Sequence, residues 1–94
     1  MFEIRTGAEG QLFLSGRFDA AESDHAQRVF RGLSASTTVD CSGLDYISSA
    51  GIAVIMDAYK RLSSGGHALR LEKVTPRVRN VLFYAGLDRL LGIT

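Results

Sequence analysis

Residues 37–66 read TTVDCSGLDYISSAGIAVIMDAYKRLSSGG, and a change of period inside this run decides the fold. Thr37-Thr38-Val39-Asp40-Cys41 is short, β-branched and bounded by Ser42-Gly43, the pattern of a central strand. From about Ser49 to Leu62, Ile52, Ile55, Met56, Tyr59 and Leu62 recur at helical spacing. Lys60 and Arg61 fall near the C-terminal end of that helix, where the macrodipole favours cations. Ser63-Ser64-Gly65-Gly66 then stops it.

The flanks repeat this alternation of strand and helix. Phe2 and Ile4, then Leu12 and Leu14, mark two period-two segments joined by Thr6-Gly7-Ala8-Glu9-Gly10, which predicts a β-hairpin. Ala26, Val29, Phe30 and Leu33 form the stripe of an amphipathic helix over about 20–33. Downstream, Ala68, Leu69 and Leu71 open a fourth strand that runs to about Val74. Thr75-Pro76 combines a cap residue with proline at the first helical position and starts a third helix. Its stripe is Val78, Val81, Leu82 and Ala85, and Gly86 ends it; Leu87, Leu90, Leu91 and Ile93 form an apolar tail expected against the sheet. The order is ββαβαβα. It predicts an α/β fold with a mixed sheet of four strands, or five if the tail adds one, packed against helices. Ninety-four residues fit one small domain spanning 1–94.

Composition narrows the function. Hydrophobic residues make up 46% and charged residues 22%, an ordinary soluble balance, and no apolar run is long enough for membrane insertion. No signal peptide is visible, and a lone Cys41 reads as a small strand residue in a reduced, cytoplasmic protein. With only His25 and His67 beside Cys41, metal-ligand spacing is absent, so no metal or other cofactor is expected. No Ser/His/Asp order, paired glutamates or phosphate-cradling glycine loop supports an enzyme or a nucleotide site. Charge is uneven: residues 1–58 hold four basic and eight acidic side chains (net −4), residues 59–94 seven and two (net +5). Without a recognition helix or an aromatic platform, the basic half does not imply direct nucleic-acid binding.

The chemistry gathers at the strand-to-helix junction. Ser48 and Ser49 stand where the second helix begins, so one can cap it while the other presents a hydroxyl. Ala50 and Gly51 leave the first-turn amides uncrowded, and a side chain at Gly51 is expected to protrude toward whatever approaches Ser49. Free amides at a helix N-terminus suit a phosphate, which would add about −1.5 to −2 charges there. Plain capping by Ser48 is the alternative. Asp19 and Asp40 are read as ending their strands on the same sheet edge; Asp19 can instead cap the first helix, and Asp40 can bond loop amides.

The run at 39–66, with GRFD at 16–19 and VTPRVRNVLFYAGLDRLLGI at 74–93, resembles the STAS domain family, specifically the bacterial anti-sigma factor antagonists. The resemblance covers nearly the whole chain. It implies a partner switch in which the unphosphorylated antagonist binds a GHKL-type anti-sigma factor that is also a serine kinase. Phosphorylation at the start of the second helix breaks that complex, and a PP2C-type phosphatase restores it. The family's phosphoserine falls on Ser49, two residues before Gly51. Many members carry aspartate where this chain has Ser48, which leaves Ser48 as the alternative site. The resemblance further implies that Asp19, Asp40, Ser48, Ser49, Ala50 and Gly51 line the partner interface. The alternative that the resemblance implies for this chain is a STAS subunit gripping the ATPase of a bacterial membrane lipid-transport ABC complex.

Overall fold

The computed structural model describes residues 1–87, 92 and 93. Strand β1 (Glu3–Thr6) and strand β2 (Leu12–Phe18) form the predicted hairpin. A 3-10 turn (Ala20–Glu22) leads into helix α1 (Ser23–Arg31), so the first helical segment is split rather than continuous over 20–33. Strand β3 (Thr37–Ile47), helix α2 (Ser49–Ser64), strand β4 (Leu69–Glu72), helix α3 (Pro76–Tyr84) and strand β5 (Gly92–Ile93) follow. The sheet order is β1-β2-β3-β4-β5, antiparallel at β1/β2 and parallel elsewhere. The tail thus adds the fifth strand at Ile93, while Leu90 and Leu91 lie outside the described residues.

Strand β3 is the largest departure from expectation. It does not stop at Cys41 but runs through Ser42-Gly43 to Ile47. Two irregularities explain the misreading: the register slips between Phe13 and Ser15 and again between Gly16 and Arg17. Each inserts one extra residue on β3, so its inward positions are Val39, Cys41, Leu44 and Ile47 rather than every second residue. Those side chains are buried beside Leu12, Leu14 and Phe18 of β2, with Leu44 opposite Gly16. Gly16 has φ +86, and a Cβ there would collide with the carbonyl oxygen of Met1, so only glycine suits this crossing.

One apolar cluster unites the inward face with all three helices: Phe30 from α1, Val54, Ile55, Ala58 and Leu62 from α2, and Val78 and Leu82 from α3. Phe2 stacks on Phe18 with centroids 4.6 Å apart. Arg61 ties α2 to α1, donating to the carbonyls of Phe30 at 2.6 Å and Leu33 at 2.7 Å. The fork thereby gives the Leu33 carbonyl a donor and adds a second to the Phe30 carbonyl, which also accepts the Leu33 N–H at 3.1 Å. The outward face carries Phe13, Arg17, Asp40, Tyr46, Arg70 and Glu72, none of them buried. Arg5 lies over the Phe13 ring at 5.5 Å and Arg17 over Tyr46 at 4.3 Å.

Candidate functional site

Strand β3 delivers the serine pair to the C-terminal end of the sheet, and the two serines do different work there. Ser48 is the N-cap of α2: its backbone is extended, and its Oγ accepts the Gly51 N–H at 3.1 Å. Its own N–H donates to the Phe18 carbonyl at 2.9 Å, and its carbonyl accepts from Ile52 at 2.9 Å. Ser48 is half-buried, and its side-chain oxygen, amide and carbonyl are all bonded. Ser49 is the first helical residue and is exposed. The amides of Ser49 and Ala50 precede the first intrahelical bond, so they remain available at the positive end of a 16-residue helix.

Gly51 corrects an expectation. It is buried and faces the sheet, where a Cβ would stand 3.0 Å from Phe18 Cγ, the Phe18 carbonyl oxygen and Ile47 Cγ1. A side chain there would not project toward a partner but would lift the first turn of α2 off β2 and β3. Nothing in the helical pattern signals this, because the contact depends on Phe18, more than thirty residues upstream.

Asp19 does share this end of the sheet. It follows Phe18, which pairs with Ile47 and receives the Ser48 N–H. Its side chain caps nothing; only its carbonyl accepts, from Glu22. Its Oδ1 is buried without a hydrogen-bond partner among the described residues.

Asp40 does not share it, contrary to expectation. Because β3 continues seven residues beyond it to Ile47, Asp40 sits mid-strand, opposite Phe13 and Glu72. That is roughly 20 Å from the serines along the strand. Its Oδ1 accepts the Ser42 N–H at 2.9 Å, and its Oδ2 lies 3.6 Å from Lys73 Nζ. Burial works against its charge, but the Ser42 bond and the Lys73 ammonium outweigh it and hold the carboxyl below its ordinary value. Lys73, which the sequence did not single out, adopts φ +55 in the turn after β4. Next door, burial and then the Asp40 charge push the Cys41 thiol up to about 12, so it stays protonated and unreactive at neutral pH.

Among the described residues no cluster of His, Cys, Asp and Glu is placed to hold a metal ion, and no helix is long and apolar enough to cross a membrane. What the site offers is an exposed hydroxyl on a capped helix start, with free amides beside it and the Asp19 carboxylate at the same end of the sheet.

A family model described as "Mlab, STAS domain" matches residues 1–92. No curated protein matches. Among solved structures, a Thermotoga maritima protein assigned as an anti-sigma factor antagonist is similar at 22% identity, with a TM-score of 0.78, over 98% of this chain and 84% of that one. The Bacillus antagonist SpoIIAA in its unphosphorylated form is similar at 16% identity and a TM-score of 0.77, over 100% and 88%. A sulfate transporter family protein from Wolinella succinogenes is similar at 18% identity and a TM-score of 0.75, over 87% and 70%.

Proposed function

The chain belongs to the STAS domain family, and from that premise we propose that it is an anti-sigma factor antagonist switched by phosphorylation of Ser49. The exposed hydroxyl of Ser49 on a helix capped by its neighbour carries this reading. Unphosphorylated, the chain binds a GHKL-type anti-sigma factor that is also a serine kinase, and so frees the factor's target. The kinase transfers the γ-phosphoryl of ATP to Ser49 Oγ, whose proton leaves. The new dianion adds its charge and bulk to the end of the sheet that already carries the Asp19 carboxylate, which opposes rebinding of a partner that fitted the free hydroxyl. A PP2C-type phosphatase hydrolyses the ester and resets the cycle. The capping bond of the Ser48 side chain supports Ser49 as the acceptor. In this reading the protein acts in the cytoplasm and performs no catalysis of its own.

Incubation with its kinase and ATP tests the reading, with intact mass and site mapping as the readout. One phosphate on Ser49, and none on Ser49→Ala, is expected; modification of Ser48 alone would overturn the assignment. Ser49→Asp should fold, since a carboxylate at this position is tolerated or stabilises by about 0.3–1 kcal/mol, yet bind the kinase poorly.

A second reading keeps the other role that the family resemblance implies: a STAS subunit that grips the ATPase of a bacterial membrane lipid-transport ABC complex. It predicts copurification with an ATPase subunit that Ser49→Asp does not weaken.

A further inference from the structure

A switch at Ser49 leaves two charged surfaces of the described residues unused, one basic and one mainly acidic. The first is the exposed side of α3. Phe83 and Tyr84 are 59% and 85% exposed, and with Met1 they are the large exposed apolar side chains among the described residues. Their rings meet edge to face, centroids 5.7 Å apart, and Arg77 and Arg79 are exposed on the same helix. Aromatic rings flanked by arginine have the composition of contact hot spots rather than of an idle surface.

The second place is a hollow of about 450 Å³ on the outward face of the sheet, lined in part by Glu9, Phe13, Thr38, Asp40, Glu72 and Lys73. Register sets Phe13, Asp40 and Glu72 side by side across three strands. The half-buried Phe13 ring gives an apolar floor, while three carboxylates face one ammonium at the walls.

We propose that the chain associates with copies of itself head to tail, the aromatic, arginine-bearing end of α3 in one copy seated in the acidic hollow of the next. Phe83 and Tyr84 leave water against Phe13, and Arg77 and Arg79 meet Glu9 and Glu72. The two surfaces share no residue, so the contact is heterologous and a bound copy still offers one free surface of each kind. Association therefore lengthens with concentration instead of stopping at a symmetric pair. Its charged rim makes it salt-sensitive.

Sedimentation velocity on the whole chain, from about 10 µM to about 1 mM at low salt, tests this. The wild type should show a mass average that keeps rising, and roughly tenfold weaker association at 0.5 M salt. Arg79→Glu removes the inserted end, and Glu9→Gln with Glu72→Gln neutralises the hollow without giving the reversed end a cation to meet; Glu9→Gln alone, in an exposed turn, serves if β4 does not tolerate the second change. Each variant alone should be monomeric, and an equal mixture of the two kinds should give a 1:1 heterodimer and nothing larger. A monomeric wild type throughout, a variant that associates as the wild type does, or a silent mixture would each overturn the proposal. So would binding of the basic end to phosphatidylglycerol vesicles by a chain that never self-associates.

Discussion

Ser48 Oγ holds the Gly51 N–H at 3.1 Å, so the residue that caps α2 and the residue that displays a free hydroxyl are neighbours with separate duties. Replacing either serine by alanine therefore gives different outcomes. Ser48→Ala loses an N-cap and should cost about 1 kcal/mol, a fall of about 4–8 °C in Tm for a domain of this size. Ser49→Ala should leave Tm nearly unchanged. Thermal melts followed by circular dichroism decide it, and equal losses from the two variants would reject the division of labour.

Gly51 is held by space rather than by backbone conformation. Alanine would raise helix propensity by up to about 1 kcal/mol, yet its Cβ would press on the Phe18 carbonyl and ring at 3.0 Å. Overpacking of this kind typically costs about 1–3 kcal/mol, so Gly51→Ala should be destabilised on balance and Gly51→Leu should fail to fold stably. Urea midpoints measure both. An unchanged midpoint for Gly51→Leu would mean that the first turn of α2 is not seated on β2.

The Asp40 carboxyl, held below its ordinary value, implies an acid-side loss of stability. A depressed folded-state pKa adds stability above the unfolded value of about 3.8, and that increment disappears as pH falls through the lower folded value. The wild type should therefore exceed Asp40→Asn in stability at pH 7, and the gap should narrow below pH 4. Denaturant melts of both proteins at pH 7 and pH 3 give the comparison; a gap that widens in acid would contradict the geometry around Ser42 and Lys73.

Arg61 joins two helices through one guanidinium fork. Arg61→Met keeps the apolar stem but takes the only side-chain donor from the Leu33 carbonyl and leaves the Phe30 carbonyl to the Leu33 N–H, with an expected cost of about 1 kcal/mol. Arg61→Lys offers no fork and should recover only part of it. Amide exchange at the end of α1 should rise in both variants, and a protected α1 terminus in Arg61→Met would show that the fork is dispensable.

Much of this was legible in the chain, and the exceptions have physical causes. Helix α2 announced itself because a period near 3.6 survives irrelevant substitutions on its polar side, and Ser48 marked its start. The last six residues of strand β3 are hidden in the sequence because period two fails at a bulge, and Ser42-Gly43 looks like a turn when it is an interruption within a ladder. A strand ending at Cys41 would put Asp40 at the sheet edge, whereas the longer strand holds it well inside. The inward seat of Gly51 was hidden for another reason: local pattern cannot tell which small residue another element will press against. Strand β5, with two residues, is too short to carry any period at all.

From Phe13 to Phe18, β2 advances five positions while β3, from Asp40 to Ile47, advances seven. The surplus of two returns the strand to phase before the chain enters α2. A one-residue deletion at either irregularity would remove its extra residue and leave Ile47 inward opposite Phe18, whereas a third loss in this stretch would find no surplus to absorb it and would turn Ile47 toward water, rotating the helix start that carries Ser49. Removing two residues, one from each irregularity, would restore the alternation with a shorter strand. Which way the hydroxyl points thus depends on a reserve of two residues, and this stretch should absorb single-codon losses at its two irregularities until that reserve is spent.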